Sequence, residues 1–333
     1  MRDLRDFSKN IEIRLIPSGN AEDTDWDNFD PPSAHPANTT AYAHLYCRRL
    51  SSPLFLEARI ANRKISQWLV CKKRMIRKLF QSYLFSQCGP QVLPFFSEYY
   101  DEIFSSYIEF LKHLVRPANI QILNHALVRG VTRSALERNA FQYITECIPF
   151  ISRLDGSDEE ILSCFHASHK NDTRKAIKEG FRYDPHIKVT EYLPLSEATY
   201  ARSGLQSHPK EYLENLERNL VLDGKGFISG VFVEDKLVAA SIIIHHGDNA
   251  FYLHGASLSP KPRGSTTLLQ FRNMLRLRDL GVKCYDMGGA KLVENTDSKT
   301  VTLTRFKSRF GGKPMSAFEG SLYPLEEGMA RVL

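Results

Sequence analysis

The chain has 333 residues, 42% hydrophobic and 25% charged, with a net charge of +6 and a pI of about 8.9. It is long enough for two ordinary domains, and mildly basic, which permits an anionic partner without demanding one. No apolar run approaches membrane-spanning length, and the start from Met1 to Asp6 lacks the apolar core of a signal peptide, so a cytoplasmic protein is expected.

The first elements are short. Ile11 to Ile16 alternates as a half-buried strand does, and an acidic, then proline-rich stretch to Pro36 reads as a loop with one turn around Trp26 and Phe29. Thr40 to Leu50 is expected as a short helix. Leu54–Ile60 and Ile65–Cys71 flank the turn Ala61–Lys64 as a hairpin. The basic run Lys72, Lys73, Arg74, Arg77 and Lys78 reads as a solvated strand edge in preference to an anion site. Ser82–Gln87 is a strand stopped by Cys88-Gly89-Pro90. Tyr99–Leu114 has helical spacing, with Ile103, Tyr107, Phe110, Leu111 and Leu114 on one stripe. Ile120–Leu127 and Phe141–Ile151 are strands, and Arg153–Gly156 is a linker.

A capping box, Ser157 with Glu160, opens the next helix. Another runs from His169 to Gly180, and two more cover Leu195–Ser203 and Pro209–Leu220. Phe227–Val233, Leu237–His245 and Ala250–Ser257 are strands separated by short turns, and Ser259-Pro260 ends the last. A helix over Thr266–Leu280, burying Leu268, Leu269, Met274 and Leu275, leads to the strand Val282–Met287.

Three strands, a proline breaker, a helix and a strand thus occur twice. This order predicts a mixed α/β chain of two tandem acyltransferase domains of the GNAT type, residues 1–155 and 156–333, with the last strand allowed to return to the first domain. In that architecture the ligand sits where two parallel strands splay and a helix points its N-terminus into the gap. GNAT enzymes that use acyl-CoA resemble one another in a Q/R-x-x-G-x-G/A loop before this helix. Here it is Lys261-x-x-Gly264-x-Thr266, with Pro260 and Pro262 removing N–H donors and Arg263 adding a cation. Coenzyme A binding is weakened by that substitution pattern.

No two of the six cysteines form a CxxC, and His166 and His169 have no third ligand nearby, so no metal or cofactor is expected. Walker, GxGxxG and GxSxG motifs are missing too. The densest chemistry lies in Thr304-Arg305-Phe306-Lys307-Ser308-Arg309-Phe310-Gly311-Gly312-Lys313, after the strand end Tyr285-Asp286-Met287-Gly288-Gly289. Cations beside a strand end suit a developing oxyanion or a phosphate. A solvated basic helix with a glycine cap is the other reading of that stretch.

These two segments, with Tyr252-Leu253-His254-Gly255-Ala256 and Thr173–Gly180, resemble the FemABX family. The resemblance implies tandem GNAT-like domains that move an amino acid from aminoacyl-tRNA to an amine of a peptidoglycan precursor. It implies that Lys307 stabilises the oxyanion, that Phe306 lies near the tRNA acceptor end, and that Asp286 takes the amine proton or orients water. It also implies that Arg202 and Tyr252 contact the acceptor's phosphates and sugar; a core-facing strand position is the alternative for Tyr252. Arg305, Arg309, Lys261 and Arg263 complete the expected substrate-binding set. The long coiled-coil arm of some members has no counterpart, nor does the lysine that members place on the precursor diphosphate. A CoA- or carrier-dependent N-acyltransferase and a non-catalytic binding scaffold are the competing readings.

Overall fold

The computed structural model describes residues 10–20, 25–30, 32, 34–46, 51–74, 82–114, 118–122, 131–291 and 298–322. They fall into two compact units, the first holding residues up to Ile148, Lys291, and residues from Ser316 onward, the second Pro149–Ala290 and Asp297–Met315.

In the first unit β1 (Glu12–Ile16), β2 (Ser51–Ile60), β3 (Arg63–Arg74) and β4 (Ser82–Ser86) pair in antiparallel succession. The short β5 (Gln91–Val92) also pairs with β3, and β6 (Ala118–Ile122) lies parallel to β4. The helix Tyr100–Leu114 makes the crossover between β4 and β6. Its buried face is Ile103, Phe104, Tyr107, Ile108 and Leu111, packed on Leu56, Trp68 and Leu84. Phe110 sits at the margin and Leu114 is exposed, because a helix on a sheet buries a broad i, i+1, i+4, i+5 face. The basic residues Lys72 and Lys73 lie on β3 between β2 and β4, so they are interior to the sheet and not on its edge, contrary to the sequence expectation. Arg77 and Lys78 lie outside the described residues, as do 47–50 of the helix expected after Thr40, which is seen over Thr40–Ala43. The strand expected over 120–127 is described only as β6. Two elements carry no signal in the sequence pattern, β5 and the helix Arg133–Arg138.

β7 (Gln142–Arg153) gives its first part to this unit, where it pairs with the strand Ala317–Leu322; that strand also pairs with β6. Its last part belongs to the second unit and pairs with Lys313–Pro314.

The second unit repeats the theme. The helix Asp158–Ser163 opens with the complete capping box: Ser157 N–H donates to Glu160 Oε2 at 2.7 Å and Glu160 N–H to Ser157 Oγ at 3.3 Å. The opening helix Ala167–Lys178 follows. β8 (Arg182–Asp184), β9 (Gly226–Val233), β10 (Lys236–His246) and β11 (Asn249–Ser257) form antiparallel neighbours, and β12 (Cys284–Lys291) pairs parallel to β11. The crossover helix Ser265–Asp279 buries Leu268, Leu269, Met274 and Leu275 against Phe227, Val231, Ile243 and Tyr285. Asn273 on that helix donates to Ser241 Oγ at 2.8 Å and accepts from Ser229 Oγ at 2.7 Å and Tyr183 at 3.0 Å, sewing helix to sheet. Val189–Ala201 begins six residues before its expected start, carrying Pro194 inside the helix. Among the described residues no helix is long and apolar enough to cross a membrane.

Candidate active site

β12 positions the first functional group. Tyr285 and Met287 join the core under the crossover helix, so Asp286, between them, projects from the other face. It is fully buried. Its Oδ1 accepts the Gly288 N–H at 2.6 Å, and its Oδ2 has no hydrogen-bond partner. This contact goes with a local kink in β12, where Gly288 supplies a φ of +70°. Burial pushes the Asp286 carboxyl up to about 7, against the opposing pull of the Gly288 N–H and the Lys307 cation. A carboxyl so placed is shared between its two protonation states at neutral pH, the condition for moving a proton.

Lys307 comes from the last turn of the helix Ser298–Ser308 and is 8% exposed. A Cβ placed on Gly288 would lie 3.1 Å from its Nζ, so the ammonium rests against the bare backbone of the β12 kink. Parallel pairing of β11 with β12 runs from Asn249↔Cys284 to Phe251↔Asp286. β11 then continues to Ser257 and β12 to Lys291 without it, so carboxylate and ammonium stand where the strands part.

Phe306 precedes the lysine and is half-buried. Its ring centroid lies 4.9 Å from Phe310 and 5.4 Å from His169, and Lys261 Nζ sits 5.7 Å from its centre. His169, on the opening helix, is also 4.6 Å from Phe310 and 6% exposed, with Nδ1 unpartnered. Burial, aided by the charge of Arg309, pushes it down to about 4, so it is neutral at pH 7. In the sequence His169 is only one of a histidine pair without a third ligand. The rings it packs against, Phe306 and Phe310, come from a distant segment, and nothing near His169 in the sequence signals them.

The remaining expected residues separate. Lys261 lies at the loop before the crossover helix, its ammonium destabilised by burial and by the charge of Arg202. Arg202 donates to the Ser257 carbonyl at 2.7 Å and to Thr199 Oγ1 at 3.3 Å, fastening its helix to the end of β11. Arg263 is ion-paired to Asp172 at 2.6 Å. Arg309 donates to Ser168 Oγ at 3.4 Å while its carbonyl accepts from His166 N–H at 2.9 Å. Arg305 is exposed on the lysine's helix. Tyr252 packs on the core beneath the crossover helix, and burial pushes its phenol up to about 12. Asp286, Phe306, Lys307 and Lys261 are thus brought together, and Arg202 acts on the group through Lys261.

The glycine of the expected phosphate loop has a different partner. Gly264 has φ +88°, and a Cβ there would strike the Asp172 carbonyl and Ala176 of the opening helix. Its missing side chain serves helix–helix contact.

Residues 167–300 match the family described as an Acetyltransferase (GNAT) domain. Among solved structures, FemX aligns over 97% of this chain and 99% of its own, with a TM-score of 0.71 and 16% identity. The chain carries a GNAT acyltransferase domain in a FemX-like tandem fold. A tandem GNAT protein from the clavulanic acid biosynthesis pathway, solved without AcCoA, aligns over 95% of the chain and 100% of its own (TM-score 0.54, 12% identity). L-PGS from Bacillus licheniformis does so over 84% and 87% (TM-score 0.52, 11% identity). No curated protein sequence matches. The two-copy reading made from the order of strands, breakers and helices agrees with this fold, since both units place a parallel strand pair around a crossover helix.

Proposed function

We propose that the second unit transfers an aminoacyl group from aminoacyl-tRNA to an amine of a cell-wall peptide precursor or a similar acceptor. The observation that carries this reading is the buried Asp286 beside Lys307 at the kink of β12, where β11 has turned away. The amine attacks the ester carbonyl, Lys307 stabilises the oxyanion, and Asp286 takes a proton from the attacking nitrogen. An ester is reactive enough that positioning and charge stabilisation suffice, and no covalent intermediate is required. Phe306 offers a ring face to the donor's terminal base, with Lys261, Arg202, Arg305 and Arg309 as cations for phosphate.

The donor assignment draws support from the loop before the crossover helix. Pro260 and Pro262 lack N–H groups, Arg263 is engaged by Asp172, and the open side of Gly264 is turned to the opening helix. Each weakens a pyrophosphate cradle. The resemblance to the FemABX family supplies the tRNA donor and the precursor amine.

The test is donor consumption. Purified protein is incubated with charged tRNA or with acetyl-CoA plus an amine acceptor, and products are followed by mass spectrometry. Product formed from charged tRNA and lost after RNase treatment is the expected result. Consumption of the thioester without RNA overturns the donor assignment, and consumption of neither overturns acyl transfer.

A further inference from the structure

Four titratable side chains outside the Asp286–Lys307 group converge on the same face of the second unit's sheet. Ile242 and Ile244 lie two residues apart on β10 and share a face; their partners on β11 are His254 and Phe251. Phe251 pairs in turn with Asp286, so His254 and Asp286 project from one side. The register shift between Ile242 and Ile243 absorbs one extra β11 residue and restores this alignment. His254 Nε2 lies 3.0 Å from the Tyr212 hydroxyl, and its ring centroid is 4.2 Å from that of His208. His208 Nε2 lies 3.1 Å from the Tyr200 hydroxyl. Two imidazoles in contact, each tied by Nε2 to a phenol, therefore stand together, and His254 places the pair on the stretch of β11 that has left β12.

The groups facing the pair are Tyr200 from the helix Val189–Ala201, Tyr212 from the helix Lys210–Leu216, and the two histidines themselves. Among the described residues neither ring is ion-paired to a carboxylate, and each Nε2 is bonded to a phenol. Burial lowers both histidines, and proximity to His208 lowers His254 further. Both are neutral at pH 7, and repulsion allows the pair one proton at a time.

Proton accounting gives this pair a task. An alkylamine reaches the site as an ammonium, with a pKa of roughly 10.4 for a lysine side chain. Amide formation strips two protons from that nitrogen. One leaves before attack, to free the lone pair; the other leaves the tetrahedral intermediate and ends on the departing oxygen. Asp286, fully buried and with one unpartnered oxygen, is assigned the second, and for that it must be unprotonated when the N–C bond forms. We infer that the His208–His254 pair accepts the first proton, converting the arriving ammonium to the attacking amine and releasing that proton to solvent. An N–H bond breaks, an imidazole N–H forms and is lost to water, the N–C bond forms and the ester C–O bond breaks. This inference rests on the acyl-transfer reading.

The test compares two nucleophiles in His254→Gln, with charged tRNA as donor. One is Nα-acetyl-lysine methylamide, an ammonium at pH 7; the other is hydroxylamine, largely neutral there, with its uncatalysed reaction subtracted. The expected result is a loss of about 10²-fold in kcat/KM for the lysine probe at pH 7, shrinking as pH approaches the amine pKa. The hydroxylamine rate stays near wild type and reports that the variant is folded. Equal loss for both nucleophiles at every pH assigns the pair a structural role and overturns the inference; so does no loss for the lysine probe. If His254→Gln does not fold, His208→Gln carries the same comparison with the strand residue intact. Transfer to neither nucleophile by the wild-type chain overturns the acyl-transfer reading itself, a result distinct from any pattern among the variants.

Discussion

In the first unit β4 and β6 stay paired over five residues, from Ser82↔Ala118 to Ser86↔Ile122, whereas in the second β11 and β12 stay paired over three, Asn249↔Cys284 to Phe251↔Asp286. The chain also leaves the two pairs in different ways. After β4 it doubles back through Cys88-Gly89-Pro90 into β5, which pairs with β3. The Trp68 indole then donates to Ser86 Oγ at 2.9 Å and to the Cys88 carbonyl at 2.8 Å. After β11 no strand doubles back among the described residues, and the equivalent place holds a carboxylate with an unpartnered oxygen and a lysine against bare backbone. A buried polar atom without a partner costs on the order of 1–3 kcal/mol, so the first unit has settled its polar groups here and the second has not. That imbalance is why the proposed chemistry is placed in the second unit.

Breaking the contrast most severely, Lys307→Ala should lower turnover by about 10²–10³ with the circular dichroism spectrum kept. An unchanged rate would remove Lys307 from the mechanism.

Asp286→Asn keeps the shape and is expected to cost about 10² in rate. It also has a stability signature. The folded pKa of about 7 lies above the ordinary 3.8, so the native state holds a proton that the unfolded state has lost between those values. Stability contributed by this group is present below pH 3.8 and is lost as pH rises to about 7. Asp286→Asn should therefore melt higher than wild type at about pH 8 and show no such gain at about pH 4. A lower melting temperature under the alkaline condition would contradict the assigned burial cost.

Gly288→Ala forces a side chain into φ +70° and brings a methyl 3.1 Å from Lys307 Nζ. A loss of about 1–2 kcal/mol by denaturant melt is expected, together with reduced turnover. Loss of stability with full activity would show that the kink does not hold the lysine.

Ser86→Ala probes the settled copy. Trp68 keeps its bond to the Cys88 carbonyl, so the cost should be about 1 kcal/mol, with kinetics unchanged. A fall in turnover would mean that the two places are not as different as their hydrogen bonds indicate.

The repeated run of elements is legible in the sequence because strand alternation, proline breakers and the stripe of the crossover helix are all local signals. Asp286 and Lys307 also stand out in the sequence, each within four positions of a glycine pair. Residues whose surroundings arrive from distant segments are not legible. The Lys72–Lys73 run looks like an edge because its partners Ser51 and Leu84 are set by strand order, which composition does not encode. Arg263 and Gly264 look like phosphate ligands, and only the approach of Asp172 on the opening helix gives them another partner. The helix expected from Leu195 begins at Val189 and carries Pro194 inside it.

The strand Ala317–Leu322 has a consequence for synthesis on the ribosome. It pairs with β6 on one side and with the first part of β7 on the other, so it occupies the middle of the first unit's sheet. When β7 emerges, that slot is vacant, and both flanking strands present open backbone until the whole second unit has been translated. At ordinary elongation speeds this interval is on the order of 10 s, long enough for the second unit's local contacts to form first. The chain thus completes its domains in the reverse of the order in which it begins them.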